Sequence, residues 1–286
     1  MDSLFFCILS NLDRESNNLI DYHIHTRLCK HAVGEIEEYI VSALKKGIKE
    51  IAFTDHIPLP DNFDIEHRMS PGEIDIYLNR IESVKTQYPE LTILTGIEAD
   101  YYEGIEKYLD NFLNSFDFDL VIMSVHFLSQ WGDGNWVFSC NFPDKSEREI
   151  YEDYFAAQIL GVETGLFDII GHIDLIKQPG KSLLAEAGSY AIELLLAIKK
   201  AGMVIEINSS GFRKNVNEPF PGFDWIGSIK KHQIGITTGS DAHTPDQVGL
   251  QFYQVYSFLN QNGYRSIKGF RKRKAFDINI DFNLTL

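Results

Sequence analysis

The sequence predicts an α/β fold built on seven parallel strands, and three observations predict it. Short β-rich runs alternate with longer segments of helical period almost from end to end, the pattern of βα units around a parallel sheet. Seven such runs can be counted, at residues 20–25, 50–54, 92–98, 119–125, 168–172, 203–208 and 235–239. Six of the seven end in, or are followed at once by, a histidine or a carboxylate. A closed barrel brings its C-terminal strand ends to one face, so these residues converge, whereas an open doubly wound sheet spreads them along an edge. Convergence favours closure.

The first strand carries His23 and His25, and alternation puts both imidazoles on one face with Ile24 on the other. Ile36, Ile40, Ala43 and Leu44 then recur at helical spacing, and Gly47 stands where a helix end wants a positive φ. His56 follows the second strand, and Ser70-Pro71-Gly72-Glu73 opens the next helix as a capping box. The third strand ends on Glu98 and the fourth leads into His126. Between Phe127 and Cys140, Gly132-Asp133-Gly134-Asn135 separates two aromatic stretches, which reads as a hairpin or flap placed to serve as a lid. Ser146-Glu147-Arg148-Glu149 is a second capping box, and the fifth strand ends on His172. Asp241 and His243 follow the seventh, with Thr244-Pro245-Asp246-Gln247 as a variant box that starts a helix. Taken singly, each histidine is as readily a core or loop residue and each acid a surface carboxylate. Taken together at six strand ends they point to a metal centre. Imidazole mixed with carboxylate suits zinc, iron or manganese, and calcium or magnesium alone does not suit so many nitrogens.

At 286 residues the chain exceeds the usual single domain, yet α/β barrels of this length form around one core. Residues 20–286 are therefore read as one barrel domain and residues 1–19 as an N-terminal extension. With 44% hydrophobic and 23% charged residues, and no repeat or linker tract, the composition is that of an ordinary globular protein. A formal charge of −15 argues against partners whose phosphates must be neutralised, so neither nucleic acid nor a membrane surface is expected. The one basic run, 271–274, reads as a solvated edge, and part of the negative charge offsets bound cations. Cys7, Cys29 and Cys140 form no CxxC pair, which points to a reducing compartment, the cytoplasm. The apolar stretch 4–9 is too short to span a membrane and follows Asp2 instead of a basic segment. No local feature speaks to oligomeric state.

With these residues in place the chain resembles the PHP (polymerase and histidinol phosphatase) family and, within it, the histidinol-phosphatase branch. The likeness runs from about residue 20 to about residue 283. It is carried by Asp21-Tyr22-His23-Ile24-His25-Thr26 with His31 six positions on, Phe53-Thr54-Asp55-His56, Gly96-Ile97-Glu98, Ser124-Val125-His126, Gly171-His172-Ile173-Asp174, Glu206-Ile207-Asn208-Ser209-Ser210-Gly211 and Gly239-Ser240-Asp241-Ala242-His243. The resemblance implies a distorted (β/α)7 barrel of parallel strands with the metal site at their C-terminal ends. It also implies three divalent ions, of zinc, iron or manganese. The first would take His23, His25, Glu98 and Asp241. Glu98 would bridge to a second, completed by His126 and His172, and the third would take His31, His56 and His243. The branch rests on residues 208–213, on Arg68 and on the lack of an added catalytic domain, and it implies hydrolysis of L-histidinol phosphate in histidine biosynthesis. The residues before Ile20 depart from the family pattern, in which the first strand begins almost at the start of the chain.

A phosphate monoester at neutral pH is a dianion that repels hydroxide, and clustered divalent ions answer with positive charge and an activated water. Arg213, after the sixth strand, is expected to clasp the phosphate with two parallel donors, and Arg68, beside His67, to be a second substrate contact. Asp55 and His243 are the expected catalytic residues. Asp55, Asp21 and Asp174 are expected to orient ligand imidazoles, or one of them to hand a proton to the leaving alkoxide. Two rival readings are a PHP phosphoesterase acting on nucleotides or other small esters, and a metal-binding module without catalysis. All nine expected ligands are present, which weighs against the second.

Overall fold

A computed structural model describes residues 18–128, 136–137, 145–177 and 184–280. The strands β1 (Ile20–Ile24), β2 (Glu50–Phe53), β3 (Thr92–Asp100), β4 (Leu120–Ser124), β5 (Ile169–Ile170), β6 (Val204–Asn208) and β7 (Ile236–Gly239) form one parallel sheet in sequence order. All seven coincide with expected runs, most of them a residue or two shorter and β3 two residues longer. Nearly every strand residue is buried, as a parallel sheet covered on both faces requires. The ring closes where the loop after β7 meets β1: His25 N donates to Ala242 O at 2.9 Å, Ala242 N to His23 O at 3.2 Å, and the Thr238 hydroxyl to Ile20 O at 2.6 Å. The result is a nearly closed barrel, as the strand-end pattern implied.

Helices α1 (Ile36–Lys45), α2 (Ile74–Gln87), α3 (Glu106–Leu113), α4 (Glu147–Glu163), α5 (Leu184–Ala201), α6 (Trp225–Lys231) and α7 (Phe252–Gln261) surround it. Each turns an apolar stripe inward. Ile36, Tyr39, Ile40 and Ala43 do so in α1, and Phe252, Val255, Tyr256 and Leu259 in α7, at the i, i+3, i+4, i+7 spacing of a half-buried helix. Gly47 has the positive φ expected of it, +73°. Both capping boxes form, although the one at Ser70 caps a single 3-10 turn, Pro71–Glu73, that runs on into α2.

Three expectations need amending. Thr244 opens only the short turn Pro245–Gln247, and α7 starts later, at Phe252. The chain is pulled aside because buried Asp21 accepts from Gly249 N at 2.8 Å, with Gly249 and Gln251 both at positive φ. The basic run is not a free edge. It forms the tip of a hairpin, β8 (Ser266–Arg271) and β9 (Lys274–Asn279), that the strand count missed. Arg271 pairs with Glu50 at the start of β2, and Arg273 reaches Asp168, just ahead of β5, at 2.9 Å. Arg273 N also donates to Asp119 O, just ahead of β4, so the hairpin closes the floor of the barrel opposite the C-terminal strand ends, with Ile267 and Phe270 of β8 buried. The proposed flap lies largely outside the described residues. At its described ends Phe127 bridges antiparallel to Trp136, and Val137 N donates to His126 O at 2.9 Å. Residues 1–17 of the extension are also outside the described part. Among the described residues no helix is long and apolar enough to cross a membrane.

Candidate metal centre

Glu98 is the hub. It lies on the inward face of β3, two residues before the strand's end, is completely buried, and its two oxygens look at different histidines. Oε2 lies 3.3 Å from His23 Nε2, 3.4 Å from His25 Nε2 and 2.8 Å from His56 Nδ1. Oε1 lies 3.1 Å from His172 Nε2 and 3.6 Å from His126 Nε2. Asp241 Oδ1 stands 3.4 Å from His25 Nε2 and 3.9 Å from His23 Nε2. His31, His56 and His243 form a further group whose ligand-type atoms all lie within 4.8 Å of one another. The barrel thus gathers at one mouth all nine side chains that the sequence singled out from six separate strand ends.

Several rings are aimed from behind by a hydrogen bond at the other nitrogen, the usual way a ligand imidazole is oriented. His23 Nδ1 meets Glu206 Oε1 at 2.7 Å, His126 Nδ1 meets Asp100 Oδ1 at 2.8 Å, and His31 Nδ1 meets Cys29 O at 2.7 Å. The sequence reading passed over Glu206 and Asp100 as site residues. A usable signal existed for Asp100, which stands two residues beyond Glu98 and so on the same strand face. Glu206 comes from β6, the one strand with no ligand-type residue at its end.

The donor set fits cations. Among the described residues His23 Nε2, both nitrogens of His25, His56 Nδ1, Glu98 Oε2 and His243 Nε2 are buried, and the short contacts among them, such as His56 Nδ1 to Glu98 Oε2 at 2.8 Å, lack hydrogen-bond geometry. So many orphaned polar atoms in one place are costly unless an ion satisfies them. The field agrees. Burial opposes charge on His23, but Glu206, Glu98 and Asp241 raise its pKa well above the ordinary imidazole value. Burial likewise opposes charge on His25, while Asp241 and Asp55 raise it. Burial would raise Glu98, yet His56, His23 and His126 hold it well below the carboxylate range. The carboxylates thus favour positive charge at His23 and His25, whereas burial lowers His243 and brings His56 down to about 3. Asp241 itself has φ +52°, a left-handed conformation that costs a non-glycine residue about 1 kcal/mol, so its surroundings must hold it there.

Above the centre opens a cavity of about 410 Å³, floored by His31, His56, His126, His172, Asp241 and His243 and walled by Asp64, His67, Arg68, Trp136, Ser210 and Lys214. The remaining expected residues fall as follows. Arg68 lines the wall, but its guanidinium is buried and closed on Asp64 at 2.7 Å and Asp100 at 2.9 Å. Arg213 lies outside the lining, and its Nη1 and Nη2 donate to Ser240 O at 3.0 Å and Asp241 O at 2.8 Å. Asp55 is buried behind His25, 3.7 Å from Nδ1, and accepts from both the backbone N and the hydroxyl of Thr26. Burial pushes its pKa up to about 6. Among the described residues neither Asp21 nor Asp174 has a hydrogen bond or ion pair with an imidazole ring. Asp21 holds Ser240 and Gly249, and Asp174 holds Gly222 N and Lys177.

Residues 21–210 match the family model described as PHP domain. The chain belongs to the PHP domain family. This PHP chain is 36% identical over 257 residues to the probable histidinol-phosphatase of Deinococcus radiodurans, an alignment covering 90% of the chain and 98% of that protein. It is 30% identical over 269 residues to the histidinol-phosphatase of Bacillus subtilis, covering 84% and 98%. The crystal structure of histidinol phosphate phosphatase from Lactococcus lactis, complexed with zinc, L-histidinol and phosphate, shares the PHP fold with a TM-score of 0.77 at 22% identity, covering 91% of this chain and all of that one.

Proposed function

We propose that the chain is a metal-dependent phosphoric monoester hydrolase that converts L-histidinol phosphate to L-histidinol and phosphate, as a cytoplasmic step of histidine biosynthesis. The observation that carries the reading is Glu98, with one oxygen turned to His23, His25 and His56 and the other to His126 and His172, in a chain 36% identical over nearly its whole length to a probable histidinol-phosphatase. His23, His25, Glu98 and Asp241 would hold a first divalent ion, Glu98 with His126 and His172 a second, and His31, His56 and His243 a third. Zinc, iron or manganese suits this donor set. When bound, such ions supply positive charge to the phosphoryl oxygens and lower the pKa of water so that a nucleophile is at hand near neutral pH.

The protein's own groups prepare that chemistry. Glu206 and Asp100 fix the tautomers of His23 and His126, leaving Nε2 of each free to face the centre. Asp55 holds the turn after β1 and backs His25, which makes it a positioning residue, whereas His243 faces the cavity directly. Arg68 locks Asp100 and so acts through His126. Arg213 tethers the carbonyls of Ser240 and Asp241, which flank the Asp241 α-carbon, and so helps keep Asp241 in its strained conformation.

The test is a panel of L-histidinol phosphate, mononucleotides, short DNA and a generic aryl phosphate, assayed on protein of measured metal content. The highest kcat/KM is expected for L-histidinol phosphate, and Glu98→Ala is expected to lose both metal and turnover. Full phosphate release by metal-depleted Glu98→Ala protein refutes the metal mechanism, and better turnover of nucleotides refutes the substrate.

A further inference from the structure

Charge balance around the cavity singles out one side chain. The chain carries a formal charge of −15, and Asp64 and Asp241 stand in the cavity lining, so an anionic ester approaches against the overall field and needs local positive charge to meet it. Among the described residues the lining contains two lysine or arginine side chains, Arg68 and Lys214. The charge of Arg68 is already balanced by Asp64 and Asp100. Lys214 differs, for its ammonium has no ion pair or hydrogen bond among the described residues, and the residue is exposed.

The lysine lines the cavity and its neighbour Arg213 does not. A 3-10 turn, Ser209–Arg213, follows β6, anchored by the Asn208 side chain accepting from Ser210 N at 2.9 Å. At its end Lys214 is extended, with φ −110° and ψ 172°. Arg213, the last residue of the turn, donates to the carbonyls of Ser240 and Asp241, whereas Lys214, just beyond it, lines the cavity. Ser210, on the same turn, also lines the cavity, is 2% exposed, and has a hydroxyl without a hydrogen-bond partner among the described residues.

We propose that Lys214, assisted by the Ser210 hydroxyl on the same turn, is the phosphate-capturing element of this cavity, the task that sequence alone assigns to Arg213. The identity of the ester rests on the function proposed above; the anion site does not. A lysine ammonium serves here as a point charge that draws the dianion toward the centre, so it acts chiefly on binding.

The experiment compares wild type, Lys214→Ala and Lys214→Arg as metal-loaded proteins, by calorimetric titration with inorganic phosphate and by KM and kcat for L-histidinol phosphate. Lys214→Ala is expected to weaken phosphate binding and raise KM by about tenfold each, with kcat changed by less than about threefold, as for loss of one hydrogen bond to a charged group. Metal content stays equal, and Lys214→Arg recovers most of the affinity. Equal phosphate affinity in wild type and Lys214→Ala overturns the proposal, as does absence of phosphate binding by wild type or loss of metal from the variant. If phosphate binding weakens as expected but L-histidinol phosphate is not cleaved by wild type, the anion site stands and the substrate reading falls.

Discussion

Glu206 presents two carboxylate oxygens to three donors. Oε1 takes His23 Nδ1 at 2.7 Å, and Oε2 takes His172 N and Asn208 Nδ2, each at 3.0 Å, in a pocket where the residue is 1% exposed. Glutamine has the same shape but one acceptor oxygen. If that oxygen keeps the two donors on the Oε2 side, the amide NH2 faces His23 Nδ1 and forces the ring into the opposite tautomer. The proton then sits on Nε2, the nitrogen turned toward Glu98, where it blocks coordination. If the oxygen instead keeps His23, the NH2 group faces two N–H donors. Either way at least one charge-assisted hydrogen bond is lost, worth about 1.5–3 kcal/mol, which corresponds to roughly 10- to 150-fold in affinity at about 1.4 kcal/mol per decade. Glu206→Gln is therefore expected to bind metal 10- to 100-fold more weakly, the range typical of partners behind a ligand histidine. The assay is competition with a chelator of known affinity, alongside circular dichroism to show that the barrel persists. Gly239→Ala is the companion, since a Cβ there would stand 2.0 Å from Glu206 Oε1 and 2.6 Å from His23 Cβ, and it should shift affinity in the same direction. Wild-type metal affinity in Glu206→Gln would refute the tautomer argument.

Metal must displace the protons that neighbouring carboxylates hold on His23 and His25, whose pKa values are raised well above the ordinary one, so affinity is expected to climb with pH through neutrality; a dissociation constant that is flat between about pH 6 and 8 contradicts this. In the metal-free protein those raised imidazoles add stability that is complete below the unfolded imidazole pKa and fades as pH rises through their folded values, so its melting temperature should fall on going alkaline while that of the loaded protein does not. On the floor of the barrel, Arg273→Ala is expected to cost about 1 kcal/mol, allowing for the part of the guanidinium that remains in water. A double-mutant cycle with Asp168→Asn, read by denaturant unfolding, checks it, and zero coupling energy would remove the pair from the account.

Much of the barrel was legible because its strands are short, doubly buried aliphatic runs set off by helical periods, a pattern that survives without any knowledge of contacts. The gathering of histidines was legible for a related reason: strand ends are positions that topology, not local sequence, brings together, and a parallel closed sheet has one topology. What stayed hidden depended on partners far along the chain. Arg271 and Arg273 looked solvated because Glu50 and Asp168 lie 221 and 105 residues away. Arg213 looked like a phosphate ligand because guanidinium suits phosphate, and nothing in the adjacent residues reveals that the carbonyls of Ser240 and Asp241 occupy it. Asp21 and Asp174 looked like partners for imidazole because they neighbour histidines in sequence, yet their oxygens are drawn to loop amides and, for Asp174, to a lysine.

Ala242 carries both backbone hydrogen bonds that stitch the loop after β7 to β1, and it stands between Asp241 and His243. The join of the cylinder and two of the residues at its mouth are thus consecutive in the chain. A cation gripped jointly by His25 and Asp241 would work as a rivet across that join. Parting the first strand from the last would then empty the mouth, and withdrawing the ion would loosen the join, so the two should open as one motion.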